Sequence, residues 1–130
     1  MSFFDRLGAS YAALVLRFGV GTVFLIHGTS KLQSGLRGVA GFFGTLGIPL
    51  PSVAATVVIA VETLGALCLI LGVFTRAWAA CMAVEMVVAI VTASLPSHRG
   101  FELEGLLLTG AVALVCLGDG AISVGSRIKR

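Results

Sequence analysis

Arg17, Glu62 and Glu85 each stand inside a long apolar run of this 130-residue chain. A charge at the centre of a bilayer costs about 2.5–3.5 kcal/mol on insertion scales, so such a side chain faces the protein interior and finds a partner. Arg17 lies within Tyr11 to Ile26, Glu62 within Val53 to Phe74, and Glu85 within Ala77 to Leu95. If the first two runs are antiparallel, Arg17 and Glu62 fall at similar depth, and an ion pair between them is the simplest way to keep both. One arginine cannot neutralise two carboxylates. Glu85 is therefore expected to carry a proton, to face water or to meet a partner subunit.

A second polar set lies toward the other face. His27 and Lys31 are four residues apart, on one helix face. Arg17, Phe24 and Lys31 recur every seven residues and share a stripe. His98, Arg99, Glu102 and Glu104 stand at the opening of the last apolar run, so His27 and Lys31 are expected to approach Glu104. The candidate buried or ligand-binding set is thus Arg17, His27, Lys31, Glu62, Glu85 and Glu104. Hydrogen-bond donors beside Phe24, Phe42 and Phe43 make the mixture a quinone carbonyl needs: an apolar slot with a few polar groups.

Other chemistries find less support. The three cysteines, Cys68, Cys81 and Cys116, sit in apolar runs without C-x-x-C spacing and read as small buried hydrophobes. The two histidines do not sit as axial haem ligands on facing helices, and neither an iron–sulfur nor a metal site is expected. There is no phosphate-binding glycine loop, nucleophile elbow or H-E-x-x-H, so no catalytic residue is assigned.

These side chains need elements to hold them. Hydrophobic residues make up 58% of the chain and charged residues 12%, and mean hydropathy is +1.08. That much apolar surface cannot be covered in water by so few polar groups, which excludes a soluble globular domain and disorder alike. The net charge of +3 comes from scattered basic residues, not from a nucleic-acid-binding patch. A fourth apolar run, Leu106 to Leu117, is extended at its start by Phe101 to Gly105. No run alternates with a period of two, so helices rather than a barrel must satisfy the backbone in lipid. The predicted fold is all-α: a four-helix transmembrane bundle forming a single domain over residues 1–130.

The connections differ. Thr75-Arg76 reads as a tight turn, and Ser94 to Gly100 as a loop around Pro96. Gly28 to Ser52 is too long for a bare link and holds an apolar cluster, read as a short interfacial or re-entrant helix over Leu36 to Leu46. Pro49 and Pro51 end it. Gly19, Gly21, Gly65, Gly72, Ala79, Ala83 and Gly110 read as close helix packing. The flanks of the first run do not fit a cleaved signal peptide. Arg6, Arg76, Arg127, Lys129 and Arg130 outnumber Lys31, Arg37 and Arg99 on the opposite side, so both termini are expected in the cytoplasm.

Several of these residues form a recognisable pattern. Leu16-Arg17, Gly21, Phe24, His27-Gly28 and Lys31-Leu32 resemble the first span of DoxX-family membrane proteins. Phe42-Phe43 with Leu46-Gly47-Ile48-Pro49 resembles that family's interfacial segment. Glu62-Thr63-Leu64-Gly65 with Leu71-Gly72 resembles its second span, and Glu104 the acidic residue opening its fourth. Gly118, Gly120 and Ser123 fit the family's closing G-x-G-x-x-S-x-D, but Gly125 stands where the aspartate belongs, and Glu85 falls outside the pattern.

The resemblance implies a four-helix protein of the bacterial inner membrane, a small subunit of membrane oxidoreductase systems. On that reading the chain is an anchor with a pocket for a quinone or similar lipid-soluble ligand, more a non-catalytic subunit than an enzyme. Its partners would be the lipid bilayer, other protein subunits and further copies of itself. Two alternatives are a small transporter or channel-like bundle, with Arg17, Glu62 and Glu85 handling protons or anions, and an assembly factor without a ligand.

Overall fold

A computed structural model describes residues 2–128, whose regular elements are all helices, with no strand among them. Six helices follow in chain order: α1 (Phe3–Ser34), α2 (Leu36–Thr45), α3 (Pro51–Leu71), α4 (Thr75–Ser94), α5 (Glu102–Leu117) and α6 (Val124–Ile128). Three of them, α1, α3 and α4, are long and apolar enough to cross a membrane. At 16 residues, α5 is about 24 Å long at 1.5 Å per residue, somewhat less than a hydrocarbon core. Lys129 and Arg130, counted in the terminal charge cluster, lie outside the described residues.

Local sequence explains where the helices begin and end. Ser2 and Asp5 form a capping box at the start of α1, each side chain accepting the other's backbone N–H. α1 then runs through Ile26 to Ser34, carrying His27 and Lys31 on helix, and stops at Gly35 (φ 84°). α2 starts at once and covers the expected segment. Pro51 opens α3, where its missing N–H costs nothing.

The turn between α3 and α4 lies earlier than expected. Gly72 (φ 77°) and Phe74 (φ 51°) reverse the chain, and Thr75-Arg76 already belong to α4. Glycine reaches that conformation without strain, which places the reversal at Gly72. Both α3 and α4 also contain a π-turn, Val61–Gly65 and Ile90–Ser94, that no periodicity announced.

The core is one stripe per helix. Val20 and Phe24 of α1 meet Val61 and Leu69 of α3, Met82 and Met86 of α4, and Leu107, Ala111 and Leu114 of α5. A satellite core joins Val39 and Phe43 of α2 to Ala55 of α3. Outward faces carry large exposed apolar side chains such as Val15, Val57, Val84 and Leu106, a surface suited to lipid contact.

Small residues set how close the helices come. A β-carbon at Gly21 would meet Ile70, at Gly65 the Trp78 ring, and at Gly110 Val20. Ala79 is fully buried. Gly19, expected in the same role, faces open space. The cysteines also depart from expectation: Cys81 and Cys116 lie on exposed helix faces, and only Cys68 is partly covered. They fall on the outward side of their helices, where an apolar run gives no warning of facing.

Candidate functional site

The closest approach of α1 to α3 is at Gly28, where an added β-carbon would stand 2.7 Å from the Glu62 carbonyl. Only glycine lets the two backbones meet there. One turn further along α1, Lys31 Nζ lies 2.7 Å from Glu62 Oε2. Glu62 is 2% exposed and sits inside the first π-turn. Such single-turn π segments frequently mark functional positions. From α4, the Glu85 carboxyl lies in hydrogen-bonding range of Glu62. Its Oε2 is buried and has no hydrogen-bond donor among the described residues.

Lys31, Glu62 and Glu85 line a cavity of about 580 Å³ between α1, α2, α3, α4 and α5. His27, Lys31, Glu62, Glu85, Arg99 and Glu104 bring polar groups to it, while Phe42, Phe43, Leu46, Val58, Met86 and Leu107 form apolar wall. Six lining residues are exposed, the apolar Phe42, Val57, Val84, Val88 and Leu103 and the charged Arg99, so most of the exposed lining is apolar. Arg99 Nη2 pairs with Glu104 Oε1 at 3.5 Å, and buried Ser94, in the second π-turn, donates to the same oxygen at 3.4 Å.

Five of the six expected site residues therefore line one cavity: His27, Lys31, Glu62, Glu85 and Glu104. Their pairing differs from expectation. Lys31 pairs with Glu62 and Glu104 with Arg99, with no ion pair between Lys31 and Glu104 among the described residues; the Gly28 contact brings Glu62 within reach of Lys31. Phe42 and Phe43 line the cavity, but Phe24 is packed into the core. His98 and Glu102 line a separate open groove on the surface.

Arg17 is elsewhere, and the expected Arg17–Glu62 pair does not form. The two helices are offset: Gly28 meets Glu62, Gly21 meets Ala66 and Ile70, and Arg17 reaches Gly72 at the α3–α4 turn. The middle of the first apolar run is thus level with the end of the second. Eleven residues of helix separate Arg17 from Gly28, about 16 Å.

At its own level Arg17 is 1% exposed and donates to the Ile122 carbonyl, with Asp119 as an opposing charge. Asp119 Oδ1 accepts the Thr75 backbone N–H at 2.9 Å, capping α4. Arg76 Nε donates to the Val115 carbonyl at 2.9 Å, covering the C-terminal end of α5. The Gly125 N–H reaches the Gly72 carbonyl at 3.0 Å. This network fastens the C-terminal segment to the α3–α4 turn.

Residues 12–95 match the DoxX family model. The chain belongs to the DoxX family. Among similar DoxX-type proteins, "Putative oxidoreductase CatD" of Bacillus subtilis (strain 168) is 36% identical over 108 residues, covering 82% of this chain and 78% of that protein. "Inner membrane protein YphA" of Escherichia coli (strain K12) is 28% identical over 143 residues, covering 98% of both. No solved structure matches the chain.

The DoxX match contains His27, Lys31, Glu62 and Glu85, while Arg99 and Glu104 lie beyond it. Of the family-like residues, Gly28 and Lys31 of α1 and Glu62 and Thr63 of α3 meet at the α1–α3 contact. Sequence reasoning placed Arg99 in the second polar set with Glu104 but missed Asp119 and Ser94 as members of polar networks. Asp119 had a signal: an acid between Gly118 and Gly120, just past an apolar run. Ser94 had none, because its burial follows from a π-turn. Among the described residues no three of His, Cys, Asp and Glu converge as metal ligands.

Proposed function

We propose that this DoxX-family protein is a small inner-membrane subunit of a redox-associated complex, whose cavity takes a quinone or a similar lipid-soluble ligand with a polar head. α5 serves as the fourth span, completing a single four-helix membrane domain, and α2 lies at the membrane interface beside the cavity. The observation that carries the reading is the cavity itself, with polar groups grouped at Lys31, Glu62 and Glu85 and an apolar wall from Phe42 to Leu107. Its volume suits a drug-sized ligand head. The oxidoreductase name of the Bacillus relative and the inner-membrane name of the Escherichia relative agree with this assignment.

The residues present fit a quinone. Lys31, His27 and Arg99 offer hydrogen-bond donors to ring oxygens, and Phe42 and Phe43 offer ring faces. A quinone supplies two-electron carrier chemistry when bound; this chain supplies the slot and its donors. The test is thermal unfolding of the detergent-purified protein with decylubiquinone. A ligand that binds only the folded state raises stability by RT ln(1 + [L]/Kd). A rise in Tm that saturates with quinone and is lost in Phe43→Ala supports the reading. No change in Tm, together with no quinone in gently purified protein, overturns it.

A further inference from the structure

The site holds more carboxylates than its nearby ammonium can balance. Lys31 Nζ faces Glu62 at 2.7 Å, and Arg99 faces Glu104 at 3.5 Å. Glu85 has neither cation to itself. Its Oε2 is buried, has no donor among the described residues, and its carboxyl lies against that of Glu62. Ionised carboxylates only accept hydrogen bonds, so two in contact need a proton between them. Both sit near the midpoints of their helices, at positions 62 of 51–71 and 85 of 75–94. Water is scarce at that depth, and an unshared second charge would be costly.

We propose that Glu62 and Glu85 share one proton, that Lys31 balances the remaining negative charge, and that Glu85 turns this single proton from Glu62 to a ligand oxygen when one enters the cavity. The groups around it are His27 and Lys31 from α1, Arg99 from the α4–α5 connection and Glu104 from α5; α2 contributes apolar rings. The arrangement selects a ligand whose head accepts hydrogen bonds through an oxygen. It also makes Glu85 a place where a proton is held ready beside that oxygen. This role toward a ligand rests on the cavity reading above, but the shared proton does not.

The difference is open to infrared spectroscopy of the full-length protein in nanodiscs at neutral pH. A protonated carboxyl shows a C=O stretch apart from the carboxylate bands and shifts in heavy water. Wild type should show one such band, and Glu85→Gln should lose it. Lys31→Met removes the balancing cation and should roughly double the band, an effect that a purely structural Lys31 would not produce. Absence of the band in correctly folded wild type overturns the shared proton, as does its persistence in both Glu85→Gln and Glu62→Gln.

Decylubiquinone then separates the two claims. A band shift on addition, with affinity at least tenfold weaker in Glu85→Leu than in Glu85→Gln, supports the donor role. Quinone binding with no band shift and equal affinity in both variants overturns that role. If wild type shows the band but binds no quinone, the quinone reading falls and the shared proton stands.

Discussion

Lys31 and Glu62 lie 2.7 Å apart, one from the last turn of α1 and the other from the middle of α3. Glu62 is 2% exposed, whereas Lys31 keeps a side-chain exposure of 27%. Removing the partner of a buried charge typically costs about 3–5 kcal/mol, because the remaining group is left charged and unpaired or must take up a proton. Lys31→Ala should therefore destabilise by about 3 kcal/mol, and Lys31→Ala with Glu62→Ala by less than the two singles together. Equilibrium unfolding in mixed micelles provides the cycle; additive losses would break the assignment.

Arg17 belongs to a different network. Arg17→Ala removes the cation facing Asp119 and releases the Ile122 carbonyl, so a loss of about 3 kcal/mol is expected. Arg17 should couple with Asp119 in a double-mutant cycle and behave additively with Glu62, because sites more than about 10 Å apart with no shared partner usually add. Coupling between Arg17 and Glu62 would count against the helix offset described above.

Gly28 is the contact that fixes that offset. A methyl group there meets the Glu62 backbone, which cannot yield as a side-chain tip would. Gly28→Ala should cost about 1–3 kcal/mol through overpacking. Gly19→Ala, whose β-carbon meets nothing, should be neutral or slightly stabilising by helix propensity. Thermal unfolding of the pair tests the prediction, and equal effects would refute it.

Topology is tested by chemistry at Ser2. With both termini cytoplasmic, a Ser2→Cys variant on a background lacking Cys68, Cys81 and Cys116 should resist a membrane-impermeant maleimide in intact cells and react after permeabilisation. Labelling in intact cells would invert the arrangement.

Much of the helical layout was legible because long apolar runs leave little choice of secondary structure. The pairings were not, for a physical reason. Residue position within an apolar run is a poor guide to depth when one helix extends well beyond its run: α1 reaches from Phe3 to Ser34, and so its charged residues slide relative to α3. His27, Lys31 and Glu62 were found by type and spacing. Glu62 and Ser94 sit in π-turns, which alter side-chain phase without altering composition. The outward Cys81 and Cys116 show the same limit, since an apolar stretch does not mark which side meets lipid.

Phe42, Val57, Val84, Val88 and Leu103 give the cavity a mostly oily threshold, with Arg99 as its one exposed charge among the described residues. A hydrophobic compound would arrive by sideways diffusion within the leaflet, so occupancy follows its mole fraction among the lipids. Adding empty vesicles at a fixed total amount of compound would then empty the site by dilution. If the cavity takes a quinone as proposed, two strains with equal quinone per cell but unequal membrane area should load the protein differently. Affinities for this chain are therefore properly expressed per lipid molecule, not per litre.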